Sequence, residues 1–212
     1  MDVRMFSVGP IQENCFLFRR DGSDRALIVD PGEEADRLLA AIDELGVTLD
    51  GILLTHTHFD HVGAVAPIAK ATGAEVWVPE IEKHVLADIS SYVPWPEFGP
   101  FESWDAEHTL TGGEKLELAG FEIDVLFTPG HSPGHVTFHV PDEAAIFSGD
   151  VLFQGSVGRT DLPGGDPQVL MQTLKTLAET LPDETVVHPG HMGITTIGAE
   201  RATNPFLGQF TR

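Results

Sequence analysis

Cysteine is almost absent from this chain of 212 residues, which has one, Cys15. A single thiol excludes an internal disulfide and a paired-cysteine zinc ribbon. Basic residues are scarce as well: 12 Lys and Arg stand against 33 Asp and Glu, a formal charge of −21. A field of that sign repels phosphate backbones, so nucleic acid is not an expected partner. The densest basic cluster, Arg19, Arg20 and Arg25, is too small to reverse it. No apolar run is long enough to span a membrane, and the opening "MDVRMFSVGP" lacks the apolar centre of a secretion signal. The expectation is a cytoplasmic protein with no membrane contact.

What is present is an ordinary apolar fraction, 42%, enough for a sizeable core. Short strand-like runs at 15–18, 26–30, 51–55 and 75–79 alternate with amphipathic stretches at 33–46 and 63–73. A second half repeats the theme, with strands expected at 121–128, 135–140, 144–148 and 185–188. The helix 167–181 is well marked: Asp166 is its expected N-cap, Pro167 its first residue, and Leu170, Leu174, Leu177 and Leu181 its stripe. Such alternation in two halves implies two sheets packed face to face with helices outside. No linker or low-complexity tract interrupts residues 1–212, so one domain is expected. Residues 80–112 break the pattern. "YVPWPEFGPFESW" carries Trp95, Trp104, three prolines and two phenylalanines without a period. It reads as an aromatic, proline-rich insertion, either packing its own rings or walling a groove.

The chemistry lies in the turns. "THTHFDH" packs His56, His58, Asp60 and His61 into residues 55–61. Polar side chains this close are costly to bury without a partner. "FTPGHSPGH" adds His131, "IFSGD" adds Asp150 and "VVHPGH" adds His191. Every one follows an apolar strand, and turns at strand C-termini can converge on one crevice. Five imidazoles and two carboxylates are too many for one tetrahedral zinc and suit two metals sharing a carboxylate. Zinc and iron both accept such ligands. His135 is expected behind the ligands, orienting one. His84, His108, His139 and His188 read as ordinary hydrogen-bonding histidines.

"HTHFDH" followed by "TPGHSPGH", "FSGD" and "HPGH" resembles the metallo-β-lactamase superfamily over nearly the whole chain. The resemblance implies an α/β fold, a four-layer αββα sandwich. "GPIQENCFL", "GSVGRTDLPGGD" and "TTIGAERATNPF" are similar to the glyoxalase II-like thioester hydrolases. On that resemblance His56, His58 and His131 hold a first divalent ion, Asp60, His61 and His191 a second, and Asp150 bridges them. The common β-lactamases of the superfamily have cysteine where Asp150 stands. The flavodiiron branch has glutamate in the place of His58. The tRNA-processing nucleases call for a basic surface. The implied activity is hydrolysis of a hydroxyacyl thioester by a hydroxide held between zinc or iron ions. Metal binding lowers the pKa of water to about 7, and a thiol of pKa about 8.5 leaves readily. Asp60 would ligate and also orient the nucleophile.

Longer glyoxalase II enzymes carry a C-terminal helical extension with basic residues for the glutathione carboxylates, whereas 21 residues follow His191 here. Those enzymes have lysine, an aromatic residue and tyrosine where this sequence reads Arg159, Thr160 and Asp161. The basic residue is kept in kind, so Arg159 is expected to clamp a substrate carboxylate, or else to pair with Asp161 or Asp166 and shape its loop. A different small thiol stands open beside glutathione. "GRTDL" also resembles the persulfide dioxygenases, whose one iron would here sit on His56, His131 and Asp150. A metal-binding protein without turnover, its groove closed by residues 80–112, is the third reading.

Overall fold

A computed structural model describes every residue except 96, 209, 211 and 212. The first half of the chain forms β1 (Asp2–Val8), β2 (Glu13–Arg19), β3 (Arg25–Val29), α1 (Ala35–Leu45), β4 (Thr48–Leu53), α2 (Phe59–Val62), α3 (Val65–Thr72), β5 (Val76–Pro79), α4 (Lys83–Ala87) and β6 (His108–Leu110). The second forms β7 (Lys115–Leu118), β8 (Phe121–Phe127), β9 (Val136–Val140), β10 (Ala145–Gly149), β11 (Leu152–Phe153), β12 (Ser156–Val157), α5 (Pro167–Thr180), β13 (Val186–Pro189), β14 (Thr195–Thr196) and α6 (Ile197–Thr203). Two six-stranded sheets result, in the orders β1-β2-β3-β4-β5-β6 and β14-β13-β10-β9-β8-β7, with β11 and β12 as a separate hairpin.

Alternation along the central strands builds four layers. Phe16 and Phe18 of β2 point between the sheets, with Leu27, Val29, Leu53, Phe121, Phe138 and Phe147. Cys15 and Leu17 point the other way, against Leu38 and Ile42 of α1 and Val65 and Ile68 of α3. On the far side Ile146 and Val187 pack on Leu170, Leu174 and Leu177 of α5. Strands buried on both faces read as continuous apolar runs, which is why "CFLF" and "ALIV" stand out in the sequence. Helix α1 ends at Gly46 in the left-handed conformation (φ 62°), donating back to Asp43 and Ile42. The Asp166 carboxylate caps α5 by accepting from the Gln168 and Val169 amides.

Strand β1 was not legible. Its side chains are half exposed and its polar Asp2, Arg4 and Ser7 blur the alternation. It nonetheless pairs with β2 along its full length. The stretch 80–112 holds α4, short 3₁₀ turns and β6, the edge of the first sheet. Phe59 packs against the rings of Trp95, Phe98 and Phe101, tying this stretch to the loop after β4.

Strand direction positions the site. β3, β4 and β5 run parallel. β10 and β13 are parallel, and β8 matches them through two antiparallel steps across β9. The turns after β4, β8, β10 and β13 open onto one end of the sandwich. The antiparallel β2 begins there, so Glu13 and Asn14 lie at the same end. Among the described residues no helix is long and apolar enough to cross a membrane.

Candidate metal centre

The loop after β4 and the turn after β8 bring three imidazole nitrogens together. His56 Nε2 lies 3.1 Å from His58 Nδ1, which lies 2.8 Å from His131 Nε2, which lies 3.2 Å from His56 Nε2. Two of the three are lone pairs by elimination. Thr55 Oγ1 gives its hydrogen to Asp30 Oδ2 at 2.6 Å, so it accepts from His56 Nδ1 at 3.0 Å. His131 Nδ1 donates to the Arg159 carbonyl at 2.7 Å. Both Nε2 atoms are left unprotonated. Burial, and then repulsion from His61 and the other imidazoles, pushes His56 well below the usual histidine range. Burial and then His131 bring His58 down to about 4. Neutral rings aimed at one point fit a cation: zinc–nitrogen bonds of about 2.0–2.1 Å set tetrahedral ligands about 3.3 Å apart.

A second cluster sits beside it. The one-turn helix α2 carries Asp60 and His61, and the turn after β13 carries His191. Asp60 Oδ2 lies 3.4 Å from His191 Nε2 and 3.9 Å from His61 Nε2. Asp150 spans the two clusters. Its Oδ1 is 3.4 Å from His61 Nε2, and its Oδ2 is 3.5 Å from both His131 Nε2 and His191 Nε2. His61 Nδ1 faces Asp30 Oδ2 at 3.1 Å, which turns Nε2 inward. There His61 Nε2 and Asp150 Oδ1 are buried without a hydrogen-bond partner among the described residues. Such orphans cost about 1–3 kcal/mol each, and a divalent ion between them would satisfy both. Burial opposes charge on His61, but Asp150 and Asp60 outweigh it and draw its pKa well above normal. Burial would raise Asp60 and Asp150, yet His61 leads the imidazoles that hold both below the usual carboxylate range. This half of the site attracts positive charge, as protons or as metal. All seven residues expected from the sequence therefore meet, and the donors fit two metal ions.

Residues behind these donors set their aim. His135 accepts from the Asp150 amide at 3.1 Å, is hydrogen-bonded through Nδ1 to Thr128 at 2.9 Å, and lies parallel to His56. It is placed to orient Asp150. Asp30, in "IVDPG", escaped notice although it too follows a strand. It takes the Thr55 amide at 2.7 Å, the Thr55 hydroxyl and His61. The group Asp30, His56 and His61 is thus the hydrogen-bonded back of the site, its atoms already partnered. Asn14 clamps the His191 turn, donating to the carbonyls of Pro189 at 3.0 Å and Met192 at 2.9 Å. Gly190 passes so close that an added Cβ would lie 2.3 Å from Asp150 Oδ1.

Glu82 was also missed, because an acid in an irregular stretch carries no pattern. Its buried carboxylate accepts from the Thr57 amide and hydroxyl at 2.8 and 2.9 Å, and from the Ser132 hydroxyl and Gly134 amide at 2.5 and 2.8 Å. It joins the loop carrying His56 and His58 to the turn carrying His131. Arg159 lines the crevice, exposed, with both ends of its guanidinium on Asp161 at 2.6 and 2.8 Å. His188 corrects an expectation. It stacks on Phe147 inside the core, its Nδ1 has no partner, and burial lowers it to about 4. The other three histidines have polar or ring neighbours: His84 meets Tyr92, His108 bonds Glu75, and His139 faces Asp124.

The donors open into a cleft of about 640 Å³, walled by residues 81–95, the hairpin β11–β12 and the loop 159–164. Glu82→Ala should strand four donors, all on the buried residues Thr57, Ser132 and Gly134. Hydrogen bonds to a charged group contribute about 1.5–3 kcal/mol each, so a loss of at least about 3 kcal/mol is expected. At about 2–4 °C per kcal/mol for a chain of this size, the calorimetric Tm should fall by about 6 °C or more. A change within about 1 °C would show that the carboxylate does not join the loops.

A sequence model of the metallo-beta-lactamase superfamily matches residues 8–191. The probable metallo-hydrolase YqgX of Bacillus subtilis is 41% identical over 212 residues, all of both chains. The hydroxyacylglutathione hydrolase GloC of Haemophilus influenzae is 38% identical over 98% of each chain. Among solved structures, the B3 metallo-beta-lactamase BLEG-1 superposes with a TM-score of 0.90 at 40% identity, over 97% of this chain and 99% of that one. TTHA1623 in a di-iron-bound form gives 0.79 at 43% identity, over 96% and 100%. The chain belongs to the metallo-beta-lactamase superfamily.

Proposed function

We propose that the protein is a binuclear metallohydrolase that cleaves a thioester, hydroxyacyl thioesters among them. The observation that carries this reading is Asp150, whose carboxylate reaches both donor clusters at once. Two clusters sharing a carboxylate suit hydrolysis better than the single iron of a dioxygenase, which leaves Asp60, His61 and His191 without a task. The relative named as a hydroxyacylglutathione hydrolase matches along 98% of its own length. A protein of that name therefore aligns without a long additional segment, and glutathione stays among the candidate thiols.

When bound, two divalent ions supply Lewis acidity and lower the pKa of a bound water to about 7. The chain does the rest. His56, His58 and His131 would hold one ion and Asp60, His61 and His191 the other, with Asp150 within reach of both. Asp60, kept anionic, accepts the hydrogen bond that aims the attacking water at the thioester carbonyl. His135 and Asp30 hold Asp150 and His61 in register, since a small misplacement of such groups costs rate steeply. The apolar cleft walls exclude competing water. Arg159 takes a carboxylate on the thiol side, exchanging Asp161 for substrate. A β-lactam amide is the second reading, favoured by the 40% identity to BLEG-1.

Purified protein should hold about two zinc or iron ions per chain by elemental analysis, and Asp150→Ala should deplete both together. Retention of two ions in that variant would remove the bridge. The protein should release thiol from a hydroxyacyl thioester without consuming oxygen. Asp60→Asn should slow release about 100-fold or more, the usual range for a lost acid–base group. Oxygen uptake on a persulfide, or turnover of a β-lactam alone, would transfer the assignment. Arg159→Ala should raise KM for a carboxylate-bearing thioester about tenfold, about 1.4 kcal/mol, with kcat little changed. An equal loss on a neutral thioester would mean that the arginine only shapes its loop.

A further inference from the structure

The cleft over the donors has an apolar rim that the hydrolysis of a small hydroxyacyl group does not use. Ten large hydrophobic side chains are exposed among the described residues, and five of them, Ile11, Ile81, Tyr92, Trp95 and Met192, line this one cleft. Ile81 and Met192 are 52% and 55% exposed, so the rim faces solvent rather than a neighbouring element. Scattered exposed hydrophobics need no explanation, but half of them gathered around one opening mark a binding surface. The rim surrounds the donors, so a molecule whose carbonyl reaches them passes against these side chains. Charge narrows the choice further. Among the described residues Arg159 is the only Lys or Arg on the lining, and Asp161 already holds it. Asp60 and Asp150 would be neutralised by the ions they hold and Glu82 is buried under its four donors, but the chain as a whole carries a net −21. A thiol carrying several phosphates would enter against that field.

We propose, resting on the thioester-hydrolase reading above, that the preferred substrate carries a bulky uncharged acyl group, aryl or branched alkyl, on a thiol without phosphates. The rim buries that acyl group, with Trp95 and Ile81 as its specificity-determining contacts. Trp95 supplies a large rigid face at small entropic cost.

The test uses the metal-loaded enzyme and thioesters of one neutral thiol, N-acetylcysteamine, with phenylacetyl and lactoyl as acyl groups. Each kcat/KM is divided by the alkaline hydrolysis rate of the same ester. Phenylacetyl should exceed lactoyl by about tenfold or more, as expected for burying a ring. Trp95→Ala and Ile81→Ser should each shrink that ratio severalfold while metal content holds, and Ile81→Ser, whose side chain is 52% exposed, should also leave Tm in place. The phenylacetyl ester of coenzyme A should be a poorer substrate than that of N-acetylcysteamine. Lactoyl preferred, a ratio unmoved in both variants, or a superior coenzyme A ester would overturn the proposal and leave thioester hydrolysis standing. No cleavage of any thioester would instead remove the reading on which it rests.

Discussion

Lone pairs and carboxylates that converge on one buried crevice, where only protons or metal ions can reconcile them, are the constraint on which the site end of the molecule depends. His56 and His131 present unprotonated nitrogens 3.2 Å apart, and Asp150 lies within 3.5 Å of three imidazoles. In a buried crevice this arrangement is repulsive unless positive charge enters it. The polypeptide cannot relieve it by rotation, because the rear nitrogens of His56, His61 and His131 are fixed by Thr55, Asp30 and a backbone carbonyl. The fold thus holds the donors in tension, and cations resolve it.

Holding them requires both sheets. The loop after β4 belongs to the first sheet, and the turns after β8, β10 and β13 to the second. A slip between the sheets would pull the clusters apart, so the shared aromatic layer of Phe16, Phe18 and Phe147 is also a condition of metal geometry. Glu82 and Asn14 add local ties between segments distant in sequence, Glu82 across the first cluster and Asn14 beside the second. These polar ties work because each donor and acceptor is satisfied; a half-satisfied network would cost more than an apolar contact.

The donors were legible in the sequence because each sits at the end of an apolar run, where a histidine or aspartate is conspicuous. The layers were legible for a related reason, since strands buried on both faces cannot hide their apolar run. Asp30 obeys the same rule and could have been found from "IVDPG" following "ALIV". Glu82, by contrast, has no local signature. It is buried only because the turn around His131 folds over it, a contact across 50 residues. His188 misled for a similar reason: "VVHP" gives no hint that its ring stacks on Phe147 and meets Phe16 edge-on. Residue chemistry shows in a sequence when the backbone pattern around it is regular, and is lost when only tertiary contact gives it a role.

The same division separates what is rigid from what selects. Groups that fit the metals stand on strand ends fixed by two sheets, while the apolar rim of the cleft comes largely from residues 81–95, outside the regular strands. Scaffold precision is worth most where displacements of a fraction of an ångström decide catalysis, and least where a broad apolar surface meets a variable group. Phe59 links the two, since it lies between His58 and Asp60 and packs against Trp95 and Phe98. The apolar wall of the cleft is thereby anchored to the loop that presents the donors. A change in that wall can alter which ester is favoured while leaving the strand ends, and the metal positions they define, in place.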